Sequence, residues 1–402
     1  MGKRSRTQQV KQLADTYLMN AYGERKVALV RGSGSRVWDA DGVEYLDFFC
    51  GISVNNLGHC HPAVVEAIQH QAETLIHVSN LYYIEPQARL AALLSKHSFA
   101  KKWFFCNSGA EANEAAIKLV RRYWHQRGKE KSEIITMEGS FHGRTIVTVT
   151  ATGQEKYQRG FEPLAPGFKH VPFDDIEALE SAVGEQTGAI MLEPVQGEGG
   201  VRVPSDGYLE QVRKLCDDRN LLLIFDEVQS GLGRTCKLFA YEHFNVTPDI
   251  VTLAKSLGGG VPIGATGATE DVATGFAPGT HASTFGGNPL ATAAAEAYLK
   301  ALFSKGVLAK ANRLSRLLFS NLTKIAEKHS SVKEVRGKGL MIGVELNFPA
   351  SEMVDRFLKE RIIVGSAGQN VLRLYPPLIV TDDEIQRVTE TFDRLLEEQE
   401  HG

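Results

Sequence analysis

No run of 18 apolar residues occurs anywhere in the 402-residue chain, so no membrane-spanning helix is expected. The first residues lack the apolar core of a secretory signal. Cysteine is scarce. Cys50, Cys60, Cys106, Cys216 and Cys236 are scattered, odd in number and free of any Cys-x-x-Cys pair. This excludes a disulfide scaffold and points to a reducing, cytoplasmic setting. Neither sign of charge is in excess: 45 basic residues face 48 acidic ones, for a net charge of −3. A nucleic acid or other polyanion is therefore not expected as the main partner, and Lys3, Arg4 and Arg6 read as a solvated tail. Several motifs are missing as well. There is no GxxxxGK[ST], no GxSxG and no HExxH, and His59-Cys60-His61 has no second ligand pair at finger-like spacing. P-loop, serine-hydrolase and zinc-peptidase chemistry all lose their usual signatures, and no metal site is expected.

What is present suits a globular protein of two or three units, with 43% apolar and 23% charged residues. Residues 1–23 read as a helix-prone arm. Arg36–Phe49 reads as a hairpin turning at Asp41-Gly42. From about 55 to 285, short apolar runs alternate with helical stretches. The runs are Ile134–Met137, Ile146–Thr150, Ala189–Leu192, Leu221–Phe225 and Ile250–Leu253. That alternation predicts an α/β fold with a mostly parallel sheet covered by helices on both faces. Between Ser108 and Gly128, Ala112, Ala115, Ala116, Leu119, Val120 and Tyr123 recur at helical spacing. Long helices are expected over 288–328, and a smaller α+β unit from Val332. The expected division is an N-terminal segment 1–54 packing with the small unit, a large domain 55–300 and a C-terminal small domain 301–402.

Ligands of open α/β sheets sit beyond the carboxyl ends of the strands. Three such ends carry reactive groups: Glu193 with Gly197-Glu198-Gly199-Gly200, Asp226-Glu227, and Ala254-Lys255 ahead of Gly258-Gly259-Gly260. A desolvated lysine loses its proton readily and becomes a nucleophile. A surface lysine ending a strand is the commoner case, as a capping or turn aspartate is for Asp226. Together, a lysine and a carboxylate on two such ends suit pyridoxal chemistry, in which an anion keeps the pyridine nitrogen protonated. Asn107-Ser108-Gly109-Ala110 opens a helix whose free N–H groups could cradle a phosphate, although Ser108 could be a plain cap. Phe141-His142-Gly143-Arg144-Thr145 offers a stacking face and a carboxylate clamp, or a core phenylalanine and a surface arginine.

NSGAEANEAAIK (107–118), FHGRT (141–145), EPVQGEGG (193–200), DEVQSGLGRT (226–235), LAKSLGGG (253–260) and STFGGNP (283–289) follow one another in this order. In this, the chain resembles the class III (ω-amino) aminotransferases, pyridoxal-phosphate enzymes of fold type I. The resemblance spans about residues 20–390. It implies a large domain and a small α+β domain, a homodimer, and pyridoxal 5′-phosphate as cofactor. Lys255 would carry the cofactor, with Asp226 on its ring nitrogen and Gln229 near its phenolic oxygen. Phe141 and Val228 would flank the ring. Ser108, Gly109 and Ala110 would hold the phosphate, with Thr284 reaching it from the neighbouring subunit.

Within the class, NNLGHCHP (55–62), HVSNLYY (77–83), EPQARL (85–90) and GKGLMIGVEL (337–346) are most similar to the group acting on N-acetylornithine. Ornithine aminotransferases carry tyrosine at the place of Ile52, and 4-aminobutyrate enzymes also carry isoleucine there. Two half-reactions follow from the resemblance, with 2-oxoglutarate as acceptor. Glu198 would pair with Arg373 during the donor half and release it to the acceptor's α-carboxylate in the other. Arg144 would take the remote carboxylate, and Ser283 and Tyr22 would line the substrate site. Cys236 and Ala282 stand where the family usually has glycine. Other class III donors (ornithine, succinylornithine, 4-aminobutyrate, lysine) and a pyridoxal-binding regulator without turnover are the alternatives.

Overall fold

The computed structural model describes residues 5–304 and 306–401, so Lys3 and Arg4 lie outside the described residues. A seven-stranded sheet forms its centre. In spatial order its strands are Lys102–Cys106, Gly264–Ala268, Ile250–Leu253, Leu222–Asp226, Thr187–Leu192, Glu133–Met137 and Phe168–Val171. Gly264–Ala268 runs antiparallel to both neighbours, and every other adjacent pair is parallel. Six strands thus point their carboxyl ends to one edge. The sheet is buried on both sides, which explains why its strands read as continuous apolar runs rather than alternating ones. Thr187–Leu192 is buried throughout.

The alternating side chains of these strands feed two separate cores. Ile134, Ala189, Met191, Leu222, Ile224 and Ile250 pack with Ala116, Leu119, Val120 and Tyr123 of helix Gly109–Gln126. Ile135, Ile190, Leu192, Leu223, Phe225 and Val251 pack on the other face, in one core with helices Tyr208–Arg219 and Pro289–Leu302. Helices therefore cover both faces, as the alternation of apolar runs implies.

One expected strand is a helix. Ile146–Ala151 is helical because Thr145 caps it, its hydroxyl accepting from Thr148 N and the Thr148 hydroxyl answering to Thr145 N. A reciprocal cap of this kind outweighs the weak strand preference of a short β-branched run.

Two smaller sheets flank the large one. Arg36–Asp39 and Glu44–Asp47 form the expected hairpin, turning at Gly42, and Leu29–Ser33 adds a third antiparallel strand that was not expected. Ile362–Ile363 joins it in parallel, with Ile362 opposite Leu46, so the opening of the chain is sewn to its C-terminal part. Val332–Lys338, Met341–Leu346, Val371–Leu374 and Gly365–Ala367 make the third sheet. Helices Val307–Lys328 and Asp382–His401 pack together beside it. The helix Arg6–Tyr17 buries no residue.

Candidate functional site

The carboxyl ends of the central strands enclose a cavity of about 420 Å³. Ser108, Gly109 and Ala110 follow the edge strand, and Phe141, His142 and Arg144 follow Glu133–Met137. Glu193, Asp226, Val228, Gln229 and Lys255 complete the wall, each at or just past a strand end. Residues separated by 147 positions in sequence meet here because parallel strands deliver their ends to one edge.

Lys255 lies two residues past the end of its strand, with a left-handed φ of 46°. A non-glycine residue there carries backbone strain of order 1–3 kcal/mol, and such strain gathers where a side chain must be aimed. Burial pushes its ammonium below the ordinary lysine value, against the pull of Glu198 and Asp226. Among the described residues no side chain hydrogen-bonds its amine.

Asp226 is held from several sides. Asn113 Nδ2 donates to its Oδ2 at 2.7 Å, and His142 Nδ1 lies 2.8 Å from the same oxygen. Val228 N donates to Oδ1 at 3.0 Å. Asn113 is fixed in turn by Thr252, whose hydroxyl donates to Asn113 Oδ1 at 2.7 Å. A carboxylate so anchored can present its remaining lone pairs to a ring nitrogen in the cavity. Behind it, buried Glu193 accepts from Phe141 N and Gly197 N. Burial and the nearby Asp226 push the Glu193 carboxyl up to about 7, although His142 opposes the shift.

The phosphate cradle is a helix N-terminus. Ser108 caps Gly109–Gln126 through Glu111 N, so the amides of Gly109 and Ala110 have no partner within the helix. Glu111 is turned away from that end, its carboxylate accepting from Asn107 N and Nδ2. A Cβ on Gly109 would come within 2.7 Å of Val228 Cγ1, so the close approach of the two strand ends needs glycine. The amides, the anchored carboxylate, the flanking Phe141 and Val228, and the amine together fit pyridoxal phosphate.

A second cluster adjoins the cavity. Arg373, 3% exposed on strand Val371–Leu374, meets Glu198 with Nη1 2.5 Å from Oε1. Gln229 Nε2 donates to the same Glu198 oxygen at 3.3 Å, and Tyr375 Oη donates to Gln229 Oε1 at 3.0 Å. Burial alone would raise the Glu198 carboxyl, but Arg373 holds it below the ordinary value. Arg144 is exposed at the cavity rim, its guanidinium 4.0 Å from the centroid of the Tyr157 ring.

Three expected site residues stand apart from this cavity. Ser283 and Thr284 line a different one, with Ser79, Asn80 and Leu81. Tyr22 is 84% exposed in the N-terminal segment. Conversely, Asn113, His142, Thr252 and Tyr375 were given no role from the sequence. Asn113 leaves one trace there, as a polar residue beside the apolar stripe of its helix. Cys236 adopts a φ of 65°, the region where glycine is unstrained, which accounts for the glycine usual at that place.

Comparison with known proteins bears on the whole chain. The sequence profile described as "Aminotransferase class-III" matches residues 17–396. An acetylornithine aminotransferase of Caldanaerobacter subterraneus is 54% identical over 95% of this chain and 98% of its own length. One from Methanocaldococcus jannaschii is 51% identical over 96% and 97%. Among solved structures, the ornithine aminotransferase of Toxoplasma gondii superposes with a TM-score of 0.95 at 35% identity, covering 99% of this chain and 97% of that one. The N-acetylornithine aminotransferase of Stenotrophomonas maltophilia gives 0.83 at 40%, over 95% and 97%.

Proposed function

The chain belongs to the class-III aminotransferases, and we propose that it transfers the terminal amino group of N2-acetyl-L-ornithine to 2-oxoglutarate. The products are N-acetyl-L-glutamate 5-semialdehyde and L-glutamate, a step of arginine biosynthesis. The cofactor is pyridoxal 5′-phosphate. When bound, it supplies an electron-accepting ring that stabilises negative charge on a substrate carbon.

The residues divide the remaining work. Lys255 Nζ would hold the cofactor and, once the donor's amine has freed it, would move a proton from the donor carbon to the cofactor carbon it had held. Asp226 keeps the ring nitrogen protonated, and Asn113 and His142 hold Asp226 still. The amides of Gly109 and Ala110, with Ser108, bind the phosphate. Phe141 and Val228 would flank the ring, and Gln229 would serve its phenolic oxygen. Glu198 masks Arg373 while the donor, which has no carboxylate at its reacting carbon, is bound. Glu198 then yields Arg373 to the α-carboxylate of the acceptor, while Arg144 takes the remote carboxylate.

The observation that carries this reading is the Glu198–Arg373 pair beside an unpaired Lys255. Such a masked arginine suits a donor reacting at a carbon far from its carboxylate. The donor's identity is supported by the acetylornithine aminotransferases among the relatives, and by Ile52 in place of tyrosine. The TM-score to an ornithine aminotransferase reports a shared backbone and favours ornithine as the second reading. Comparing N-acetylornithine, ornithine and 4-aminobutyrate as donors with 2-oxoglutarate tests the choice. A preference for either of the latter two would overturn it.

A homodimer completes the proposal. Thr284 is exposed and lines a cavity with Leu81, and Leu81 and Phe285, the residue after Thr284, are 85% and 61% exposed. So much open apolar surface suits a cover of like kind, and a second copy would bring Thr284 to the partner's phosphate and Ser283 and Tyr22 to its substrate site. No described helix is long and apolar enough to cross a membrane. The five free cysteines support a cytoplasmic home.

A further inference from the structure

A net charge of −3 averages over the chain and hides one local excess. On the outer side of helix Gly109–Gln126, a cavity of about 610 Å³ is lined by Lys118, Arg121, Arg122, Lys129 and Lys131, against one acid, Glu130. Its size is that of a small-molecule pocket.

None of these five cations has a carboxylate within ion-pair distance among the described residues, whereas Arg127, on the same helical segment, pairs with Asp271. Arg121 and Lys131 are held by neutral groups: Arg121 by the carbonyl oxygens of Ser132 and Pro166 and the Phe168 ring, Lys131 by the carbonyl oxygens of Arg219 and Asn220 and the Trp124 ring. Burial pushes both below their ordinary values, as it would for cations short of counter-charge. Arg122 is half-buried and its Nε is buried without a hydrogen-bond partner.

The adjacent helix C-terminus offsets part of this charge, but its dipole amounts to only about half an elementary charge. Lys118, Arg122 and His125 lie at helical intervals on one face. From Lys118 to His125 the stripe runs roughly 10 Å along the axis at 1.5 Å per residue. Cations spread along that length, on long side chains that can converge, suit two adjacent anionic groups better than one. Phe276 adds an apolar wall.

We propose that this cleft is a second, non-catalytic site that binds a compound with adjacent phosphates, as in pyrophosphate or a nucleoside diphosphate. The inference is independent of which donor the enzyme uses.

The test is calorimetric titration of the cofactor-loaded enzyme, so that the cradle at Gly109 is already filled, with inorganic pyrophosphate, ADP and citrate at physiological salt. One phosphate compound per chain is expected to bind, with affinity falling at least about tenfold in Arg122→Gln/Lys129→Gln as charge-assisted bonds are lost. Citrate should bind more weakly. Tighter binding of ADP would identify a nucleotide as the source, and equal binding a free polyphosphate. Transaminase kcat should not change in the variant, and the cofactor's absorbance checks that it is folded. Lys129→Gln alone, at an exposed side chain, serves if the double variant fails to load cofactor. Absence of binding at millimolar concentration, binding unaltered in the variants, or citrate binding as tightly as pyrophosphate would overturn the assignment.

Discussion

Arg373 and Glu198 form a buried ion pair across the boundary between the third sheet and the loop that follows Thr187–Leu192, with 2.5 Å between Nη1 and Oε1. Arg373 Nε has no partner, and Phe49 and Tyr375 present their rings to the guanidinium at 5.1 and 5.6 Å. Among the described residues Glu198 alone brings a carboxylate to it, so its charge is either masked by Glu198 or open to a substrate. Glu198→Ala should leave that charge exposed to the donor. Truncating one partner of a buried pair costs about 2–5 kcal/mol. We therefore expect a loss of at least about tenfold in kcat/KM for the amine-donor half-reaction and a smaller loss with glutamate. Single-turnover kinetics of the two halves measure this, and equal losses would contradict the masking role.

Lys255 is assigned both the covalent bond to the cofactor and the proton shuttle. Lys255→Ala should cost about 10²–10⁴-fold from the lost proton transfer alone, and should abolish the visible absorbance of the lysine-bound cofactor. Turnover near the wild-type rate would remove the basis of the mechanism.

Asp226 gains its orientation from Asn113 and His142, neither of which touches substrate in the proposed arrangement. Hydrogen bonds to a charged group are worth roughly 1.5–3 kcal/mol. Asn113→Ala or His142→Ala should then lower cofactor affinity or kcat roughly 10- to 100-fold. The cofactor's spectral pH profile should move as well, because ring protonation depends on where Asp226 is held. A change in melting temperature with no spectral shift would make both residues merely structural.

The strands of the large sheet were legible because burial on both faces leaves a continuous apolar run, and the ends of those runs pointed to Lys255, Asp226 and Glu193. Ile146–Thr150 misled because Val and Thr suit strands, while the deciding interaction was the reciprocal Thr145–Thr148 cap. Asn113, His142 and Tyr375 were not found because their roles exist only through partners more than 80 positions away. No local pattern encodes such pairings. The roles given to Ser283, Thr284 and Tyr22 came from family resemblance, and in one protomer these residues lie away from the cavity.

Gly197 shows how the loop after Glu193 controls the amide of Gln229. A Cβ at Gly197 would sit 2.1 Å from Gln229 Oε1 and 2.7 Å from its Nε2. Gln229 cannot move aside without breaking its bonds to Tyr375 and Glu198. Gly197→Ala should therefore lower kcat in both half-reactions, by about 10–100-fold if one or two such bonds are lost. Full activity would mean that Gln229 has slack its hydrogen bonds do not suggest.

The last prediction concerns stability and pH. His329, 2% exposed at its side chain, joins the end of helix Val307–Lys328 to helix Asp382–His401. Its Nε2 lies 2.7 Å from Asp393 and its Nδ1 2.9 Å from Glu400. Lys328 also reaches Asp393 and Glu397. Burial would lower the imidazolium, but Glu400 and Asp393 overcome it and hold His329 above its ordinary 6.5. Glu400 is pulled down from 4.5 to about 2, first by His329 and then by Ser331. A raised histidine stabilises fully below 6.5 and loses that contribution as pH rises through its folded value. A depressed carboxyl stabilises fully above 4.5 and loses its contribution as pH falls towards 2. Both are fully present together only between about 4.5 and 6.5. Chemical denaturation of His329→Gln across pH 4 to 9 should therefore show its largest deficit against wild type in that window, narrowing towards pH 9. A deficit that grows with pH would mean His329 is neutral in the folded chain and holds the C-terminal helix by hydrogen bonding alone.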